Sequence, residues 1–172
     1  MTTHGNLNFK EKLKQIKAFV FDVDGVLSKS VVSICDDGKL MRTTNTKDGY
    51  ALKRANEEGY IVGIITGGLN NSVVLRFNNL GIKSIYTGSQ NKMADLKHFI
   101  DTYKLDYSKI LYMGDDLPDY EVMKTVGVPT CPADASEEIK GISMFISDKN
   151  SGEGCVRDII TQVMKTQNNW YE

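Results

Sequence analysis

The chain alternates short, uninterrupted apolar runs with longer stretches in which apolar residues recur every three or four positions. The runs are "KAFVFDV" (17–23), "YIVGIIT" (60–66), "SIYT" (84–87), "KILYMGD" (109–115) and "MFIS" (144–147), with "GVPTC" (127–131) as a briefer one. Runs this short and this apolar predict strands buried on both faces. Helical spacing predicts a helix over 48–59, where Tyr50, Leu52 and Ala55 fall near one face, and another over 70–81; each closes on a glycine, Gly59 and Gly81. Met93, Leu96, Phe99 and Ile100 mark a third helix over 91–105, Pro118 opens a fourth in "PDYEVMKTVG", and 153–166 is a last amphipathic segment.

Such alternation implies an α/β fold: a Rossmann-like, doubly wound parallel sheet with helices on both faces. One segment departs from the pattern. In "KSVVSICDDGKLMRTTNT" (29–46) two β-like runs flank Asp36-Asp37-Gly38-Lys39, a hairpin signal. It follows the first strand directly, so it should project over that strand's carboxyl end as a flap. No repeat, low-complexity tract or Pro/Ser-rich linker divides the chain. Its 172 residues are expected to form one domain, 1–172, with the flap hairpin at about 29–46 and no separate cap domain.

Charge narrows the partners. Lys plus Arg number 21 and Asp plus Glu 22, a balance that argues against a nucleic-acid or membrane-surface binder. No apolar run approaches the roughly 18 residues of a membrane span. The N-terminal "MTTHGNLNFKEKLKQIK" has no apolar core of a secretory leader. Cys35, Cys131 and Cys155 are odd in number and widely spaced, and read as reduced thiols of a cytoplasmic protein. His4 and His98 are the only histidines, which leaves little for histidine-based metal or acid–base chemistry.

In open parallel sheets, ligands bind beyond the carboxyl ends of the strands. Polar residues gather there: Asp22 and Asp24 after the first strand, Thr66-Gly67 after the second, Gly114-Asp115-Asp116 after the fourth. Carboxylates brought this close repel one another unless a cation joins them, and a hard divalent ion such as Mg²⁺ suits oxygen ligands. The scarcity of histidine argues against a dinuclear Mn²⁺ site. Lys92 follows the turn-like "GSQN" and can reach the same rim. The Thr66 hydroxyl and the amides of Gly67-Gly68 suit phosphate oxygens. Together these parts imply phosphoryl transfer through a carboxylate nucleophile, with a second carboxyl as acid and base. Plainer readings stand beside this one: an acidic turn for "DVDG", helix caps for Asp116 and Asp119, a helix start for "NTKDG", and an exposed arginine for Arg76.

"DVDGVL", "TGG", Lys92 and "GDDLPD", in that order, resemble the four motifs of the haloacid dehalogenase superfamily of phosphatases, over about residues 15–165. The flap, "NTKDG" (45–49) and "SGEGCVRD" (151–158) narrow the resemblance to the 3-deoxy-D-manno-octulosonate 8-phosphate phosphatases. These are capless enzymes of lipopolysaccharide precursor synthesis, tetramers in which neighbouring subunits help close the site. The resemblance implies a phosphorylated keto-sugar acid as substrate, Mg²⁺ as cofactor and a homotetramer. It makes Asp22 the nucleophile and Asp24 the general acid/base, with the Asp24 carbonyl on the metal beside Asp22 and Asp115. Thr66, Gly67 and Lys92 would hold the phosphoryl group. Asn45, Thr46, Lys47, Asp48, Gly49, Lys53 and Arg76 would face the substrate, and Asp116 and Asp119 would support the metal shell and Lys92. Two departures bear on specificity: Gly68 and Lys53 stand where the family usually or often has Arg, and a guanidinium fork is not replaced neutrally. A nine-carbon keto-sugar acid 9-phosphate is therefore a rival substrate. A non-catalytic tetramerising domain, like those fused to sialic-acid cytidylyltransferases, is the alternative of another class. A phosphomutase would need a cap to keep water from the intermediate.

Overall fold

The computed structural model describes residues 8–69 and 71–171. Residues 1–7, Asn70 at the start of the helix predicted over 70–81, and Glu172 lie outside them. In chain order the elements are α1 (Phe9–Leu13), β1 (Ala18–Phe21), β2 (Ser33–Ile34), β3 (Leu40–Met41), α2 (Thr46–Glu57), β4 (Ile61–Ile65), α3 (Asn71–Asn78) and β5 (Ser84–Tyr86). There follow α4 (Lys92–Tyr103), β6 (Ile110–Met113), α5 (Tyr120–Met123), β7 (Val128–Cys131), α6 (Glu137–Ile142), β8 (Phe145–Ile146) and α7 (Cys155–Thr166). All six predicted strands form one sheet in the order β5-β4-β1-β6-β7-β8, and every neighbouring pair is parallel.

β1 is wholly apolar because both of its faces are covered. Phe19 and Phe21 enter one core with Ala51, Leu52 and Ala55 of α2, Val73 and Phe77 of α3, and Val156, Ile159, Ile160 and Val163 of α7. Ala18 and Val20 enter the other with Leu96, Phe99 and Ile100 of α4, Val122 and Met123 of α5, and Ile139 of α6. Each large side chain so buried contributes about 1.5–3 kcal/mol relative to exposure.

β1 lies at the centre. From it the chain builds outward to β4 and β5 on one side, and to β6, β7 and β8 on the other. This reversal opens a crevice at the carboxyl ends of the strands. Register carries the chemistry there: Phe21 lies opposite Ile64 and Met113, and the Asp22 N–H donates to the Met113 carbonyl at 3.1 Å.

The flap is present as β2 paired antiparallel with β3, Ser33 opposite Met41 and Ile34 opposite Leu40, all four exposed. Three local features differ from the sequence reading. α1 and α6 carry too few residues, 5 and 6, to display a helical period. The helix expected from Pro118 begins instead as a 3-10 turn, Leu117–Asp119, and continues as the four residues of α5. The tighter turn carries Asp119 inward, leaving it 1% exposed. Among the described residues no helix is long and apolar enough to cross a membrane.

Candidate active site

A cavity of about 800 Å³ opens at the crevice, lined among others by Asp22, Asp24, Thr66, Gly67, Gly68, Lys92, Asp115, Asp116 and Asp119. Asp22 is the first residue past β1. Its Oδ1 accepts from the Val23 N–H at 2.6 Å and its Oδ2 from the Lys92 ammonium at 2.6 Å. Lys92 opens α4, whose N-cap Asn91 accepts from the Ala94 N–H at 3.1 Å, so the helix terminus faces the same rim. Its ammonium also donates to Asp119 Oδ1 at 2.7 Å. Asp119 is held in turn by the buried Tyr112 hydroxyl at 2.6 Å and the Asp115 N–H at 3.3 Å.

Thr66 is buried at the end of β4, and its hydroxyl accepts from the Gly68 N–H at 3.3 Å. Gly25 makes the close approach of the two acidic motifs possible. Its φ is +83°, and a Cβ there would lie 1.9 Å from Asp115 Oδ2.

Asp22, Asp115 and Asp119 each bring one carboxylate oxygen within 4.8 Å of the others. Three carboxylates share the single Lys92 ammonium, so charge balance lacks two positive charges. Burial, reinforced by Asp119 and opposed by Lys92, pushes the Asp22 carboxyl up to about 7. Burial, with Asp22 and Asp119 beside it, does the same to Asp115, also to about 7. Burial pulls the Lys92 ammonium down, but Asp22 and Asp119 together outweigh it and raise it.

One divalent cation supplies the missing charge, and the donors fit a hard ion: all are oxygens. Among the described residues the Asp115 carboxylate and the Asp24 carbonyl accept no hydrogen bond. Both are therefore free to ligate, whereas the Asp119 oxygens are committed to Lys92, Tyr112 and the Asp115 N–H.

The other predicted residues lie elsewhere. Asn45 caps α2 by accepting from the Lys47 and Asp48 N–H groups at 2.8 and 3.3 Å, and donates to the Gly152 carbonyl at 3.3 Å. Asp48 is fully buried and accepts from the Arg157 N–H at 2.7 Å. "NTKDG" and "SGEGCVRD" thus join each other. Arg76 packs against Gly49, where a Cβ would lie 2.5 Å from Nη2. Lys53 is exposed, 3.8 Å from Glu57. Asn45, Thr46, Lys47, Asp48, Gly49, Lys53 and Arg76 do not line the cavity of their own chain.

Sequence reasoning missed Tyr112, inside an apolar run, and Arg42 of the flap, whose guanidinium grips Asp24. The one available signal for Arg42 was a lone arginine at the end of the hairpin.

A family model for haloacid dehalogenase-like hydrolases matches residues 69–159. The chain is 30% identical, over 156 residues, to the 3-deoxy-D-manno-octulosonate 8-phosphate phosphatase KdsC of Salmonella typhi, covering 91% of this chain and 83% of that one. The chain belongs to the haloacid dehalogenase-like hydrolases. Solved structures of this family superpose closely. The octulosonate 8-phosphate phosphatase of Yersinia pestis matches with a TM-score of 0.91 and 28% identity, covering 93% of this chain and 86% of that one. That of Moraxella catarrhalis, solved with magnesium, phosphate and KDO, matches with a TM-score of 0.90 and 32% identity, covering 93% and 92%.

Proposed function

We propose that the chain is a Mg²⁺-dependent phosphoric monoester hydrolase acting on 3-deoxy-D-manno-octulosonate 8-phosphate, releasing the free sugar acid and phosphate for lipopolysaccharide precursor synthesis. The observation that carries this is the cluster of three carboxylates, two of them buried, around one lysine, at the switch point of a chain similar to KdsC. Asp22 attacks phosphorus, and an aspartyl phosphate forms as the ester P–O bond breaks. Asp24 gives its proton to the departing oxygen, then takes one from the water that hydrolyses the acyl phosphate. Lys92, the Thr66 hydroxyl and the Gly67 amide hold the phosphoryl oxygens. Asp119 and Tyr112 keep the ammonium aimed, and Asp116 supports the acidic rim. When bound to Asp22, Asp115 and the Asp24 carbonyl, Mg²⁺ neutralises the crowded carboxylates and the transferring group.

A single phosphatase domain, 1–172, with the flap in place of a cap, fits hydrolysis better than transfer to a second sugar. The functional form is a cytoplasmic homotetramer. Val31 (84% exposed) and Ile34 (76%) on the flap, with Leu69 and Leu75 nearby in sequence to the rim, give it apolar surface to cover. Within the tetramer a neighbour's Asn45–Gly49 segment, Lys53 and Arg76 would complete the substrate site. Free thiols at Cys35, Cys131 and Cys155 suit the reducing compartment.

Trapping tests the chemistry. Borohydride reduction of acid-quenched turnover mixtures converts an aspartyl phosphate to homoserine. Peptide mass spectrometry is expected to find it at position 22; turnover without that mark contradicts the route.

A further inference from the structure

The flap is exposed nearly throughout, yet the Arg42 side chain beyond β3 is only 8% exposed. It folds back onto Asp24, with Nε 2.5 Å from Oδ1 and Nη2 2.8 Å from Oδ2. This is the planar fork with which a guanidinium takes any carboxylate. Gly68 leaves room for it: a Cβ there would lie 3.0 Å from Arg42 Nη2. The pair stands between two cavities. Asp24 and Gly68 line the catalytic one; Arg42 and Leu69 line a second, of about 1090 Å³, beneath the flap.

We infer that Arg42 is a specificity-determining residue, a flap guanidinium that leaves Asp24 to bind the carboxylate of the substrate. This rests on the phosphatase reading above. A keto-sugar acid phosphate carries its two anionic groups at opposite ends. With the phosphate at Lys92 and Thr66, the sugar runs past Asp24 toward the flap cavity and meets the guanidinium there. Asp24 must shed the fork before its oxygen can exchange a proton with the ester. An incoming carboxylate replaces one bidentate pair by another, so Arg42 is never left without a counter-charge. A neutral sugar phosphate offers no such replacement and leaves Asp24 clamped. Recognition of the acid and release of the acid/base are thus a single event.

The test crosses Arg42→Gln and Arg42→Lys with two substrates, the eight-carbon acid 8-phosphate and a hexose 6-phosphate lacking a carboxylate. For Arg42→Gln, kcat/KM on the acid is expected to fall about 100-fold, mostly through KM, and on the hexose phosphate, whose turnover the fork holds back, to stay level or rise. Arg42→Lys keeps the charge without the fork and is expected to recover only part of the discrimination. Equal losses on both substrates overturn the inference, since a residue that merely positions Asp24 or the flap slows both alike. If Arg42→Gln melts early, Arg42→Lys carries the test through the same ratio, and unchanged discrimination in that variant overturns it. A wild-type enzyme with no preference for the acid overturns the substrate assignment, and this inference with it.

Discussion

The rim of the sheet and the flap above it are built in opposite ways. Asp22, Lys92, Asp115 and Asp119 come from three separate segments, after β1, at the start of α4 and after β6, and Lys92, Asp22 and Asp119 are almost sealed from solvent. The side chains of Asp22, Lys92 and Asp119 hold one another, and Asp115 is tied to Asp119 through its N–H. The flap strands have two residues each, are exposed on both faces, and return to the body through Arg42. The difference teaches where the two demands on the enzyme are met. Chemistry needs groups fixed to a fraction of an ångström, so it sits on the strand ends and a helix terminus. Choice of substrate tolerates movement, and in the role inferred for Arg42 it is left to a hairpin that the core does not hold.

The largest test of this division is at the rim. Asp22→Asn is expected to lower turnover by at least about 10⁴-fold while the melting temperature stays at or above that of the wild type without metal. Residual turnover within about tenfold of wild type would remove Asp22 from the chemistry. Lys92→Met comes next. It leaves Asp22 and Asp119 without their ammonium, an expected cost of about 3–5 kcal/mol in urea melts without Mg²⁺. The loss should be greater at pH 8 than at pH 5, because protonation relieves the repulsion.

The metal sharpens the same contrast. Without it, Asp22 and Asp115 titrate at about 7 in the folded chain, against the usual 3.8. The folded state then holds protons that the unfolded state has released, so stability falls as pH rises from about 4 to 7. Mg²⁺ needs both groups ionised, so the gain in melting temperature on adding it should grow from pH 5 to pH 8. A gain independent of pH would contradict these ligands.

The smallest expected effect on the fold is at the flap. Val31→Ser with Ile34→Ser should change monomer stability by no more than about 0.5 kcal/mol per site. The pair should nonetheless shift the proposed tetramer toward smaller species in sedimentation. Unchanged assembly would place the subunit contacts elsewhere.

The same contrast decides what was legible in the sequence. β1, β4 and β6 declare themselves because a strand covered on both faces must be apolar throughout. Asp22, Thr66 and Asp115 then follow, since each is the first polar residue past such a run or one glycine beyond it. Lys92 is marked more faintly, by the turn-like "GSQN" before it, because a lysine opening a helix is ordinary, and the family pattern then singles it out. α6 was hidden by its length, although Ser136 before Glu137 and Glu138 is a helix-start pattern. Arg42 was hidden for a different reason. Its partner lies 18 positions away across a hairpin, and no local period records a contact made by a flap folding back. Within one chain Asn45 and Asp48 tie α2 to the approach to α7 and do not line the cavity, a placement that no local pattern records.

The central claim is tested most directly by phosphate release with Mg²⁺ over a small panel: the eight-carbon keto-sugar acid 8-phosphate, nine-carbon acid 9-phosphates, and hexose phosphates. The account predicts at least about 100-fold higher kcat/KM for the eight-carbon acid than for any other member. A preference for a nine-carbon acid, or no release from any of them, would contradict it.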